Sequence, residues 1–151
     1  MGMLVDEVEG AAQRQSIEIK RSPVWTCESL QKELRRRFAG GAVVGAALWE
    51  CLVDPVSIQD SAGWMLPGEF AGGGPCLLSF EPHLESSVLE FRTGDELTTV
   101  LGECSAFVFY MCDPDLTALV CFNDHDFVIA TGAAKLWLAE AARSRILSPR
   151  D

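Results

Sequence analysis

The sequence predicts an α+β fold: a mainly antiparallel sheet with an N-terminal helix and a C-terminal helix packed on it. Three observations carry that prediction. CSAFVFYMC (104–112), TALVCF (117–122) and FVIA (127–130) are short runs rich in aromatic and β-branched residues. The turns between them, Asp113-Pro114-Asp115-Leu116 and Asn123-Asp124-His125-Asp126, are short enough to join antiparallel neighbours. Cys27, Leu30, Leu34 and Phe38 recur at helical spacing, as do Ala134, Trp137, Leu138, Ala141 and Ala142.

The length, 151 residues, suits one domain. Residues 1–16 are polar and read as a flexible N-terminal arm, leaving 17–151 as the single α+β domain. Ser16–Lys20 reads as a short strand. The first core helix has two possible starts, Ser22-Pro23 and Thr26. Glu28–Lys32 and Glu33–Arg37 support it as i,i+4 pairs, and Gly40-Gly41 ends it. Arg35, Arg36 and Arg37 crowd its last turn, where the helix dipole favours cations.

Ala42–Val53 is apolar almost throughout, and its valines and flanking Gly and Pro favour a buried strand over a buried helix. Residues 54–75 carry three prolines and five glycines and read as loop, with one short element near Gly63–Leu66. Cys76–Pro82 and Ser87–Thr93 read as strands joined around His83. Thr93 caps a short helix, Gly94–Leu101, whose first turn holds Asp95 and Glu96. Thr131 is the expected cap of the C-terminal helix.

Two-residue turns at Pro114-Asp115 and Asp124-His125 would set Phe109 opposite Val120 and Phe122 opposite Phe127. Both faces of the three-stranded meander are then apolar, whereas a sheet with one wet face alternates. The meander is therefore expected to be covered on both sides, by helices and loops or by a second copy. A homodimer through an apolar sheet face is one such arrangement.

Charge divides the chain. Residues 38–134 hold 14 carboxylates and a single cation, Arg92, a net of −13 within a total of −10. Charged groups are rarely buried without partners, so most of these carboxylates are expected at the surface. Their field reaches about 8 Å at physiological salt. It excludes a nucleic-acid-coating protein, which needs a basic surface, and favours a cationic partner.

The start has no basic and apolar signal pattern, and Phe38–Trp49 is too short for the roughly 20 residues of a membrane span. A cytoplasmic protein is expected. None of the six cysteines forms a C-x-x-C pair, and most sit in apolar runs, so they read as reduced core residues.

No G-x-S-x-G, H-E-x-x-H or G-x-G-x-x-G occurs, and His83 and His125 are isolated, so neither an enzyme, a cofactor nor a metal site is expected. Asp113, Asp115, Asp124, His125 and Asp126, on the two meander turns, are the expected partner-binding residues. In size, charge and lack of catalytic motifs the chain resembles bacterial immunity proteins. That resemblance implies inhibition of a basic, toxin-like protein such as a nuclease. The alternative is a small-molecule or metal site, or an enzyme, between the 63–75 loop, with Trp64 and Phe70, and the Asn123–Asp126 turn.

Overall fold

The computed structural model describes residues 2–40 and 46–147. Five helices surround one antiparallel sheet. In chain order the elements are α1 (Met3–Arg14), β1 (Lys20–Thr26), α2 (Cys27–Phe38), β2 (Val56–Gln59), α3 (Leu66–Ala71), β3 (Cys76–Ser79), β4 (Ser87–Phe91), α4 (Gly94–Leu101), β5 (Phe109–Cys112), β6 (Ala118–Phe122), β7 (Phe127–Gly132) and α5 (Lys135–Leu147). One-turn 3-10 helices occupy Leu48–Glu50 and Gly63–Met65. The seven strands run in the order β1-β4-β3-β5-β6-β7-β2, every pair antiparallel.

This is the predicted α+β class, with a helix near each end. α2 starts at the second of its two possible caps. The Thr26 hydroxyl accepts from the Ser29 N–H, and Ser29 returns the bond to the Thr26 N–H. Ser22-Pro23 lies instead in β1, an edge strand, where a proline costs no ladder bond. α4 spans Gly94–Leu101 with Thr93 as its cap, as its local signals require.

Residues 3–14 are not a flexible arm. They form α1, because Val5, Val8, Ala11 and Ala12 share one face and are buried. The buried Glu85 carboxylate accepts the Val5 N–H at 2.8 Å. It satisfies a first-turn donor and sets a negative charge at the positive end of the helix dipole.

The expected strand at 42–53 falls partly outside the described residues. Over 46–53 there is no strand. Leu48–Glu50 form a 3-10 turn, closed by the Glu50 carboxylate accepting the Ala47 N–H, and Leu52 makes an isolated bridge to Ala39. An apolar run demands burial but does not choose a backbone conformation. Leu48 and Leu52 reach the core without a ladder. The expected 54–75 loop holds more structure than predicted. Val56–Gln59 alternates as an edge strand, and Pro67 opens α3. Thr131 belongs to β7, not to a helix cap. Gly132, at φ 64°, turns the chain out, and α5 starts at Lys135.

Register differs from the two-residue-turn expectation in both hairpins. Phe109 lies opposite Phe122, a shift of two that keeps the faces. Phe122 lies opposite Val128, a shift of one that exchanges the faces of β7. Val128 and Ala130, not Phe127 and Ile129, therefore share a face with Phe109, Met111, Val120 and Phe122. Both faces are buried in β3, β5 and β6 and in the middle of β7. The covers come from this chain. Gly63 sits against Val128 and Phe122 on one face, and Phe38 at the end of α2 packs at Gly132. A second copy would have to use another surface.

α3 and α4 touch backbone to backbone. A Cβ on Gly94 would stand 2.1 Å from the Gly68 carbonyl oxygen, and the Gly94 N–H donates to the Gly72 carbonyl at 2.8 Å. Gly94→Ala should therefore lower stability by about 3 kcal/mol, as overpacking against backbone does. Gly73→Ala, which meets open space, should change it by less than about 0.5 kcal/mol. Urea midpoints at unchanged slope measure both.

Candidate functional site

The segments 60–62, 80–86, 104–108 and 123–126 converge at one end of the sheet. The β6–β7 loop is built by Asn123. Its side-chain oxygen accepts from the N–H groups of His125 and Phe127, each at 3.0 Å, and its own N–H donates to the Phe127 carbonyl. Asp126 takes φ 63°, a left-handed position that Asp tolerates. The loop is thus three residues long, not two, and this sets the one-residue shift of β7. The edge strand holds it from the side: Gln59 Nε2 donates to the His125 carbonyl, and the Asp60 N–H to that of Asp126.

With its backbone so fixed, the loop presents Asp124, His125 and Asp126 to solvent. Asp124 and His125 side chains are 68% and 70% exposed and stand 3.7 Å apart. Adjacent side chains on such a tip cannot close a metal shell by themselves. Among the described residues no three His, Cys, Asp or Glu groups come together as a cation site.

Asp113 and Asp115 occupy the other end of β6, roughly 17 Å away along a five-residue strand. Asp113 is committed to its own turn. Its carboxylate accepts the Thr117 and Ala118 N–H groups at 2.8 and 2.9 Å and the Thr117 hydroxyl at 2.6 Å. The Arg37 guanidinium donates to the Asp115 and Leu116 carbonyls there. The two acidic turns therefore do not form one surface. The structure separates Asp113 and Asp115, beside a cation, from Asp124, His125 and Asp126.

What it brings to Asp124 instead is a groove of about 530 Å³ between α2, the Leu48–Glu50 turn and the end of the sheet. Gln31, Arg35, Trp49, Glu50, Glu81 and His83 line it with Asp124. Glu81 accepts a short hydrogen bond from the Tyr110 hydroxyl, whose ring is buried in the sheet. Burial, then the nearby Cys121 and Glu81, push the Tyr110 pKa up, so it stays a phenol donor at neutral pH. Arg35 Nη2 donates to the Ala46 carbonyl at 2.6 Å and to Gln31 Oε1 at 3.4 Å. Because a guanidinium can only donate, the Gln31 oxygen must face it, and the amide nitrogen faces away. That nitrogen is buried and has no partner among the described residues, in a residue only 8% exposed. An unmade bond of this kind costs about 1–3 kcal/mol.

Sequence reasoning did not assemble this set. Gln31 carried a readable signal, since it lies four residues after Cys27 on the buried face of α2. Glu50, Glu81 and Trp49 meet only through the topology. A second cavity, of about 270 Å³, joins Trp64 and Asp126 with Phe107, Phe109 and Phe122. Phe70 is not part of it; its ring packs edge-on against Trp137 at 5.4 Å. All six cysteines are free. Burial raises the Cys76 thiol to about 12 and Cys104 to about 11, and pushes up Cys27, Cys112 and Cys121 as well, so none of these five is an activated nucleophile.

Comparison with known proteins finds no matching family model, no matching curated protein and no matching solved structure. No described helix is long and apolar enough to cross a membrane.

Asn123→Ala removes the acceptor of two loop N–H groups in a buried position. It should cost about 2 kcal/mol in urea unfolding. Asp124→Ala, at the exposed tip, should stay within about 0.5 kcal/mol of the parent.

Proposed function

We propose that this chain is a small acidic cytoplasmic protein that binds and neutralises a cationic protein partner, as an immunity protein holds a toxin such as a nuclease. A protein that acts on polyanions must itself present a basic site, and an acidic surface complements it. The observation that carries the reading is the sheet end around Asn123–Asp126. There Asp124 and Asp126 stand on a loop whose backbone is hydrogen-bonded on both sides, with Glu81 and Glu50 across the groove. The rigid backbone lowers the ordering cost of binding. Six free thiols suit a reducing compartment. In this reading Asp124, His125 and Asp126 contact the partner, while Asp113 serves its own turn.

The second reading is a small-molecule binding domain. It draws on the cavity that joins Trp64 to Asp126. Apolar, aromatic walls with one carboxylate at the mouth suit a largely apolar ligand.

Affinity capture from the source cells separates the two. The parent should retain a basic protein that leaves as salt rises toward about 0.5 M, since screening shortens the reach of the field. Asp124→Lys/Asp126→Lys should weaken retention at least tenfold. Glu69→Lys/Glu140→Lys, exposed on α3 and α5, should leave it unchanged. No basic partner, or a complex indifferent to salt, would overturn the proposal.

A further inference from the structure

We infer that the cavity joining Trp64 to Asp126 binds a small aromatic amine, a single ring with a short arm that ends in an ammonium group; this rests on the small-molecule reading above and names its ligand class. Two independent features point to that ligand. The first is a preformed aromatic chamber. Trp64, Phe107, Phe109 and Phe122 wall a cavity of about 270 Å³. The rings of Phe107, Phe109 and Phe122 meet in series, at centroid distances of 6.1 and 5.8 Å. The walls are pinned on both sides, which holds the space open. On one side Gly63 lies so near the sheet that a Cβ there would stand 2.5 Å from Val128, and the Asp60 N–H donates to the Asp126 carbonyl at 2.9 Å. On the other, the Glu7 carboxylate of α1 accepts both the N–H and the hydroxyl of Ser105.

The second feature is the hydrogen-bonding character of the lining. The Asp126 carboxylate has no hydrogen-bond or ion-pair partner among the described residues. The Ser105 hydroxyl donates its proton to Glu7 at 2.8 Å and keeps only lone pairs for a ligand. Ser61, the other hydroxyl of the lining, can serve either way. Among the described residues no Lys, Arg or His lines the cavity. The occupant must therefore bring donors, and a charged donor bonds a carboxylate more strongly than a neutral one. An ammonium group carries three donors on one small atom. Size sets the rest of the ligand. A cavity of roughly 150 Å³ encloses one benzene ring. About 270 Å³ takes a ring and a short arm, and lies below the roughly 300–1,000 Å³ of drug-sized sites. An aromatic acid would set its charge against Asp126.

The test is a titration of ¹⁵N-labelled protein at neutral pH with 2-phenylethylamine, read at the Trp64 indole N–H and the Asp126 amide. 2-Phenylethanol keeps the ring and arm and removes the charge, and 3-phenylpropionate reverses it. The amine should shift both signals and saturate. The alcohol should bind at least tenfold more weakly, and the acid should give no saturable shift over the same range. Asp126→Asn removes the charge, and asparagine also tolerates the left-handed backbone at φ 63°. That variant should bind the amine no more tightly than the parent binds the alcohol. Equal affinities for amine and alcohol, or an amine affinity unchanged by Asp126→Asn, would overturn the ligand assignment and leave the small-molecule reading standing. No saturable shift at Trp64 with any of the three compounds would overturn both.

Discussion

The constraint on which the structure depends is a sheet whose central strands are buried on both faces. β3, β5, β6 and the middle of β7 are packed above and below, so their side chains are uncharged and mostly apolar on both sides, with Ser79 and Thr131 among them. Such a sheet has no room for charge on its faces. Most carboxylates of residues 38–134 thereby fall at strand ends, loops and helix surfaces; Glu90 lies within β4, and Glu85 is buried against α1. The two ends of the sheet then differ by what they meet. Arg37 reaches the β5–β6 turn, and Lys135 stands 3.4 Å from Asp54 near the start of β2. At the opposite end Asp124, Glu81 and Glu50 line the groove with Arg35, and Asp126 stands on the same loop beside the second cavity.

Polar groups that the core does enclose are matched to local needs. Glu85 accepts a first-turn N–H of α1, Asn123 closes the β6–β7 loop, and Tyr110 donates to Glu81. Each bond also joins segments distant in sequence or fixes a turn. Gln31 departs from this rule: its oxygen faces Arg35 and its buried nitrogen has no partner among the described residues. Among the described residues the other buried side-chain polar atoms have partners.

Much of the fold was legible because its signals are local. The Thr93 cap and the acidic first turn set α4, and the Cys27–Phe38 stripe set α2. The strands of the meander followed from aromatic and β-branched runs. What failed depended on distant groups or on turn detail. α1 reads as polar until Glu85 is placed at its N-terminus, and β2 is only four residues long. The β7 face turned on a single left-handed residue, Asp126. For the candidate site, the tip residues Asp124, His125 and Asp126 could be named from turn chemistry. Their separation from Asp113 and Asp115 follows from hairpin geometry alone. The groove required Gln31, Trp49, Glu50 and Glu81 from three separate segments, which no local pattern joins.

The placement of these charges makes the Asn123–Asp126 end of the sheet more negative than the Asp113–Leu116 end, where Arg37 and Lys135 stand. Paramagnetic relaxation of amide protons by small soluble nitroxides, one cationic and one anionic, measures that potential residue by residue. At the amides of 81–83 and 124–126, enhancement by the cationic probe should exceed that by the anionic probe severalfold. At 114–117, beside Arg37, the ratio should be much closer to one. Equal ratios at the two ends, or a larger ratio at 114–117, would contradict this difference in potential.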